Sequence, residues 1–199
     1  LTDAVNVAFS ADGRFAACER RASYSPLDTN ATTDVYLIDR TNGLASLVSV
    51  SPDGNAAGNS RSLSPRITPD ARYVLFRSRA TNLAVNDTNG MSDVFLRDLT
   101  LGRTILLSIN REGNGTGNSF SGNPVLSSDG STVLFETYAS DLITGDYNES
   151  RDILVLRLSQ SDTDGDGLPD DWELAYFNGL QRNGTGDSDG DGQTDRMEF

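Results

Sequence analysis

The 199-residue chain contains no histidine and no lysine, has one cysteine, and holds no long apolar run. Without histidine it lacks the commonest general base, the commonest zinc ligand and any Ser-His or Cys-His nucleophile pair. Hydrolases of those designs cannot be assembled from this chain alone. The single Cys18 cannot form an intrachain disulfide and gives no reading of redox compartment. Set in an alternating apolar run, it reads as a small buried hydrophobe rather than a reactive thiol. Nothing approaches the roughly 20 apolar residues that a bilayer span needs. Leu1 opens the chain with neither a Met nor a signal-peptide pattern, so the sequence reads as a piece of a longer protein.

Positive charge is also scarce. Sixteen basic residues, all arginine, face 29 acids, for a formal charge of −13. Residues 160–199 hold eleven of the acids and two of the arginines, so the acidity belongs mostly to the tail. That balance argues against nucleic-acid phosphates and anionic membranes as partners and favours a cation.

What the chain does have is a repeat. Asp28, Asn30 and Asp34 recur as Asp87, Asn89 and Asp93, then as Asp146, Asn148 and Asp152, each time 59 residues on. A short β-rich run follows each last Asp: VYLID from Val35, VFLRD from Val94, ILVLR from Ile153. A fixed period that joins a polar turn to a strand means stacked supersecondary units. Each unit divides into four strand candidates. In the second they are a short run near Arg66–Thr68, then Tyr73–Arg77, Val94–Asp98 and Thr104–Ile109. The dipeptides Asp12-Gly13, Asp70-Ala71 and Asp129-Gly130 mark tight hairpins. The Gly/Asn-rich connections from Gly54 and Gly113 look too polar and too flexible for a core.

Four short antiparallel strands per unit of about 59 residues suit a β-propeller blade. The expected fold class is therefore all-β: a partial propeller at 1–159, with units at about 4–63, 64–122 and 123–158, the last incomplete. A small calcium-loop and helix module is expected at 160–199. The pattern S-x-D-G-x-x-[VA]-x-[FC] at Ser10–Cys18 and Ser127–Phe135 resembles the WD40-like, TolB-type propeller repeats of bacterial envelope proteins. Thr68–Phe76 carries it with Ala71 for Gly, and A-T-N-L-x-x-x-D-T-N-G from Ala80 adds to it. The resemblance covers residues 4–158. Three units are fewer than the roughly four to eight that close a propeller, so further blades are expected outside this sequence.

Two chemistries fit the repeated Asp-x-Asn loops. Asp28, Asn30 and Asp34, with their counterparts Asp87, Asn89, Asp93 and Asp146, Asn148, Asp152, could gather oxygens around calcium. Alternatively they form Asx-turns ahead of each strand, which explains the spacing without an ion and is the reading adopted here.

The tail is more pointed. From Asp162, acids fall at loop positions 1, 3, 5 and 9 (Asp162, Asp164, Asp166, Asp170), with Gly167 at 6 and Glu173 at 12. This is the EF-hand calcium-loop pattern, in which Leu168 offers its backbone carbonyl at position 7. Asp187, Asp189, Asp191, Gly192, Gln193, Asp195 and Glu198 repeat it. Packing these carboxylates together without a cation would be self-repelling, which points to Ca²⁺. Residues 171–180 read as a short helix between the loops, and no entering helix is legible. Pro169 has no N–H for a strand that would pair the two loops. The tail thus resembles dockerin or thrombospondin type 3 calcium repeats more than a complete EF-hand pair. The dockerin resemblance implies a cohesin-like partner.

The function expected from all this is non-enzymatic: a calcium-binding scaffold of the bacterial surface, periplasm or extracellular space, offering a propeller surface to a protein or glycan. One alternative is a TolB-like envelope propeller that binds proteins. The other is a carboxylate-dependent polysaccharide lyase or glycosidase, with Glu19, Glu136 and Asp141 as the acids that could pair.

Overall fold

The computed structural model describes residues 3–148 and 150–158. The chain divides after Leu156 into two units, and the architecture below is that of the first. Its first sheet is a meander of β1 (Val5–Phe9), β2 (Phe15–Arg20), β3 (Asp34–Asp39) and β4 (Leu44–Leu47). A second meander repeats it with β5 (Ser62–Ile67), β6 (Tyr73–Ser78), β7 (Asp93–Asp98) and β8 (Arg103–Leu106). The third sheet orders β9 (Ser121–Leu126), β10 (Thr132–Thr137) and β11 (Asp152–Arg157) in the same sense. Strand β5 lies against β1, β2 and β3, and β9 against β5, β6 and β7. Successive antiparallel meanders, each laying its first strand against the sheet before it, are blades of a partial β-propeller.

The blades face each other through apolar side chains. Ala17, Val35 and Val48 of the first blade meet Ile67, Val74, Phe76 and Phe95 of the second in one buried cluster. Phe76 and Phe95, cross-strand partners on β6 and β7, stack with ring centroids 5.7 Å apart. Both faces of these middle strands are covered, so VLF and VFL are continuous apolar runs rather than alternating ones.

The hairpins at the β1–β2 end follow from the S-x-D-G pattern. Ser10 Oγ donates to Asp12 Oδ1 at 2.6 Å and accepts the Phe15 N–H at 3.0 Å, while Asp12 also accepts the Arg14 N–H. Thr68 and Asp70 repeat the arrangement, as do Ser127 and Asp129. The turn needs a left-handed residue. Gly13 and Gly130 supply it at φ 67° and 78°, and Ala71 adopts it at φ 59°.

Three sequence expectations are corrected. The first strand of the second blade begins at Ser62, ahead of the expected Arg66–Thr68 run. Its alternation is hidden by a bulge, where Ser64 sits at φ 59°; Asn6 and Asn123, both at φ 50°, hold the same place in β1 and β9. The fourth strand ends at Leu106, and Ile109 instead forms an isolated bridge with Thr116. The Gly/Asn-rich connections are packed, not loose: Ala57 and Thr116 are buried in them. A Cβ on Gly117 would lie 2.6 Å from Leu142 Cδ2 and one on Gly58 3.0 Å from Ala80 Cβ, so these two glycines permit close approach, while Gly54 and Gly113, both at φ 72°, supply left-handed turns.

Candidate functional site

In an antiparallel meander every β2–β3 type loop emerges at the same end of its blade. Residues 21–33, 79–92 and 138–151 are these loops. The connections between blades return to that end as well, so loop and connector meet there.

The Asp-x-Asn motif builds the junction. Asn30 Oδ1 accepts the Thr32 N–H at 2.8 Å, Asn89 Oδ1 that of Met91 at 2.6 Å, and Asn148 Oδ1 that of Ser150 at 2.7 Å. Each is an Asx-turn. The side-chain amides point the other way: Asn30 donates to Asp34 Oδ2, Asn89 to Asp93 Oδ2 and Asn148 to Asp152 Oδ1. In the first two loops the amide also donates to the carbonyl of the next connector, at Gly58 and at Gly117.

The acids that open β3 and β7 are fully buried. Ser49 Oγ donates to Asp34 Oδ1 at 2.7 Å while accepting the Val35 N–H; Ser108 does the same between Asp93 and Val94. Burial pushes Asp93 up to about 7 and Asp34 up to about 6, against the opposing pull of the serine and asparagine donors. The leading acids take separate partners. Asp28 Oδ2 accepts the Tyr36 hydroxyl at 2.6 Å, Asp87 Oδ1 that of Thr116 at 3.5 Å, and Asp146 Oδ1 the Asn148 N–H at 3.4 Å. Burial raises Asp87 too. Among the described residues no three acidic or cysteine side chains gather into a cation-holding group.

The acids expected to pair for catalysis are placed apart. Glu19 and Glu136 occupy equivalent positions on β2 and β10, opposite Val5 and Gly122 of their first strands. Glu19 Oε1 accepts from Asn6 Nδ2 and from the Ser64 N–H of the next blade. Glu136 Oε2 accepts from Asn123 Nδ2 and lies 3.5 Å from Arg151. Asp141 Oδ1 accepts the Asn118 N–H of a connector, as Asn82 does for Asn59. All three carboxylates therefore bind backbone or bulge amides. The calcium-loop residues Asp162, Asp164, Asp166, Leu168, Asp170 and Glu173, and Asp187, Asp189, Asp191, Gln193, Asp195 and Glu198, lie outside the described residues.

Sequence reading passed over three arginines at the same loop end. Arg61, Arg77 and Arg79 line a cleft of about 220 Å³ beside Phe120. The usable signal was two arginines at alternate positions where β6 ends, but only the strand register brings Arg61 beside them.

No family model matches the sequence, and no curated protein matches it. Among solved structures it is similar to the putative TolB of Agrobacterium tumefaciens, at 16% identity over 76% of this chain and 44% of that one, TM-score 0.49. It is similar also to TolB of Acinetobacter baumannii, at 18% identity over 77% and 32%, TM-score 0.45. A third is the β-propeller domain of the Trilobed protease of Pyrococcus furiosus, at 12% identity over 79% and 43%, TM-score 0.44. The chain thus spans less than half the length of each.

Proposed function

We propose that this chain is part of a non-catalytic, TolB-like binding propeller of the bacterial envelope, whose loop end receives a protein partner. The observation that carries the reading is the exposure of large apolar side chains on all three loops of one end. Tyr24 and Leu27 stand on the first, Val85 and Met91 on the second, Ile143 and Tyr147 on the third. Val85 is 75% exposed and Tyr147 is 87% exposed. Apolar groups gathered at one end and rimmed by polar residues favour protein association. The bonding of Glu19, Glu136 and Asp141 to amides supports a structural use of those acids over paired catalytic work.

In the same reading the two twelve-residue loops from Asp162 and Asp187 hold Ca²⁺, and their spacing alone supports this. The repeat loops at Asp28, Asp87 and Asp146 serve as turns. A periplasmic or surface location agrees with both parts, since calcium there is plentiful enough for weak sites.

Site-specific photocrosslinking tests the binding face. A crosslinker at Val85 or Tyr147 should trap one identifiable protein, and that protein should bind the purified chain and lose affinity for a Val85→Asp, Tyr147→Asp variant. A crosslinker at Leu44, exposed at the opposite end, should not trap it. Trapping from Leu44 alone, or affinity unchanged in the double variant, would sink the reading.

A further inference from the structure

The arginine cleft lies at the loop end where the partner is placed, and its composition runs against the rest of the chain. Ser62 pairs with Ser78 and the Arg79 N–H donates to the Arg61 carbonyl, so Arg61 and Arg79 face each other across β5 and β6. Side chains two apart on a strand share a face, which puts Arg77 and its partner Leu63 on that side too. Like charges directly opposite each other destabilise a sheet. In a protein of net charge −13, this face nonetheless gathers three guanidinium groups, and no acid lines the cleft.

A second observation is independent of the clustering. Arg77 Nε is buried and has no hydrogen-bond partner among the described residues. A desolvated N–H on a permanent cation is costly to leave unmet. The equivalent position in the first blade is Glu19 and in the third Glu136, and each of those has its own partners. The positions matching Arg61 and Arg79 in the third blade are Phe120 and Tyr138, which pack edge to face with centroids 6.2 Å apart. In the first blade the same two positions are Asp3 and Arg21, and the unpartnered Arg20 Nε beside them belongs to a guanidinium that pairs with Asp3, so among the three blades the second sets arginine opposite arginine.

We infer that this cleft is a receptor for the carboxylate of a peptide segment of the partner protein. The inference rests on the protein-binding reading above and names the chemistry it would use there. Guanidinium forks match the two oxygens of a carboxylate and bind it bidentately. At about 220 Å³ the cleft admits one side chain or chain terminus, not a folded element. Leu63, Met91 and Phe120 wall the same space and suit an apolar residue beside the acid.

The test is an NMR titration of the full chain, following the Nε–H resonance of Arg77. The probes are acetyl-Gly-Glu-Leu-Gly-amide, its Gln counterpart, and acetyl-Gly-Leu with a free C-terminus. Saturable shifts with the Glu peptide or the free-terminus peptide, and none with the Gln peptide, are the expected result; which acidic probe binds tells side chain from terminus. Arg79→Gln, an exposed change that leaves the fold intact, should weaken that binding by at least about tenfold, the loss of a charge-assisted bond. An equal response to the Gln peptide, no response to either acid, or unchanged binding in Arg79→Gln and Arg77→Gln overturns the inference. Crosslinking from Val85 that persists in such a case would leave the protein-binding reading standing, so the two failures are distinguishable.

Discussion

Asn89 donates its side-chain amide to the carbonyl of Gly117, 28 residues further on, at 2.7 Å. Asn30 repeats this toward Gly58 across the same sequence distance. One side chain thus closes its own turn, donates a hydrogen bond to one oxygen of a buried carboxyl group and fastens the connector to the next blade.

Replacing Asn89 by Ala should therefore cost more than a surface turn residue does. It unpairs the Gly117 carbonyl, the Met91 N–H and one oxygen of Asp93. The expected loss is about 2–3 kcal/mol, read as a fall in the denaturant midpoint at unchanged slope. A change within about 0.5 kcal/mol would mean that water replaces these bonds freely.

Asp93 and Asp34 predict an unusual pH dependence. Their folded values of about 7 and about 6 lie above the ordinary 3.8, so between those limits the folded state holds protons that the unfolded state has released. Stability from these groups is then fully present below the ordinary 3.8 and is lost as pH rises through about 6 and about 7. Asp93→Asn should flatten the thermal-melt profile between pH 5 and 8. Calcium bound at these loops would pull both values down and abolish the slope even in the unaltered chain, so melts with calcium and with chelator separate the turn from the metal site.

Gly117→Ala should destabilise by about 1–3 kcal/mol, because the new Cβ meets Ala139 Cβ at 2.9 Å as well as Leu142. Gly58→Ala is the control of the same kind: its Cβ would stand 3.0 Å from Ala80 Cβ and 3.5 Å from Leu83 Cδ2, and the loss should be smaller. Equal losses would assign the effect to the unfolded chain rather than to crowding.

Ala71→Gly should stabilise by up to about 1 kcal/mol. Ala71 holds φ 59°, where its counterparts are glycines, and a left-handed Ala costs roughly 1–2 kcal/mol, partly offset by the entropy glycine adds to the unfolded state. A lower melting temperature would show that the alanine methyl has a packing role.

For the tail, calorimetric titration of calcium into the chelator-treated chain should give two binding events. Both should vanish in the Glu173→Ala, Glu198→Ala variant, if each change removes the bidentate ligand that the loop pattern predicts at position 12. Calcium uptake that survives the double change would move the site to the Asp28, Asp87 and Asp146 loops.

The repeat period, the middle strands and the hairpin turns were legible because local chemistry writes them. Ser10 with Asp12 specifies its turn within six residues, and VFLRD can hardly be other than a buried strand. The first strand of each blade was legible only at its far end, as the run near Arg66 in β5. Its bulge places Ser64 or Asn123 in a left-handed conformation and so breaks the alternation by which a strand is recognised. Gly58 and Gly117 misled in another way, since a glycine that permits packing and one that permits motion look alike until the neighbour is known. The arginine cleft depends on the pairing of Ser62 with Ser78, a fact of register that lies 16 residues apart in the chain.

The Asn-to-connector tie also bears on how such a chain can be lengthened or shortened by gene rearrangement. Donor and acceptor stand on opposite sides of a sheet boundary, 28 residues apart within a 59-residue period. A recombination joint placed between one sheet and the next separates an asparagine from the carbonyl it was selected to meet. Insertion or loss of a whole period, wherever the cut falls, restores the partner from the neighbouring copy. The inherited module is thus the 59-residue phase rather than the visible blade, and related chains should differ in length by that step.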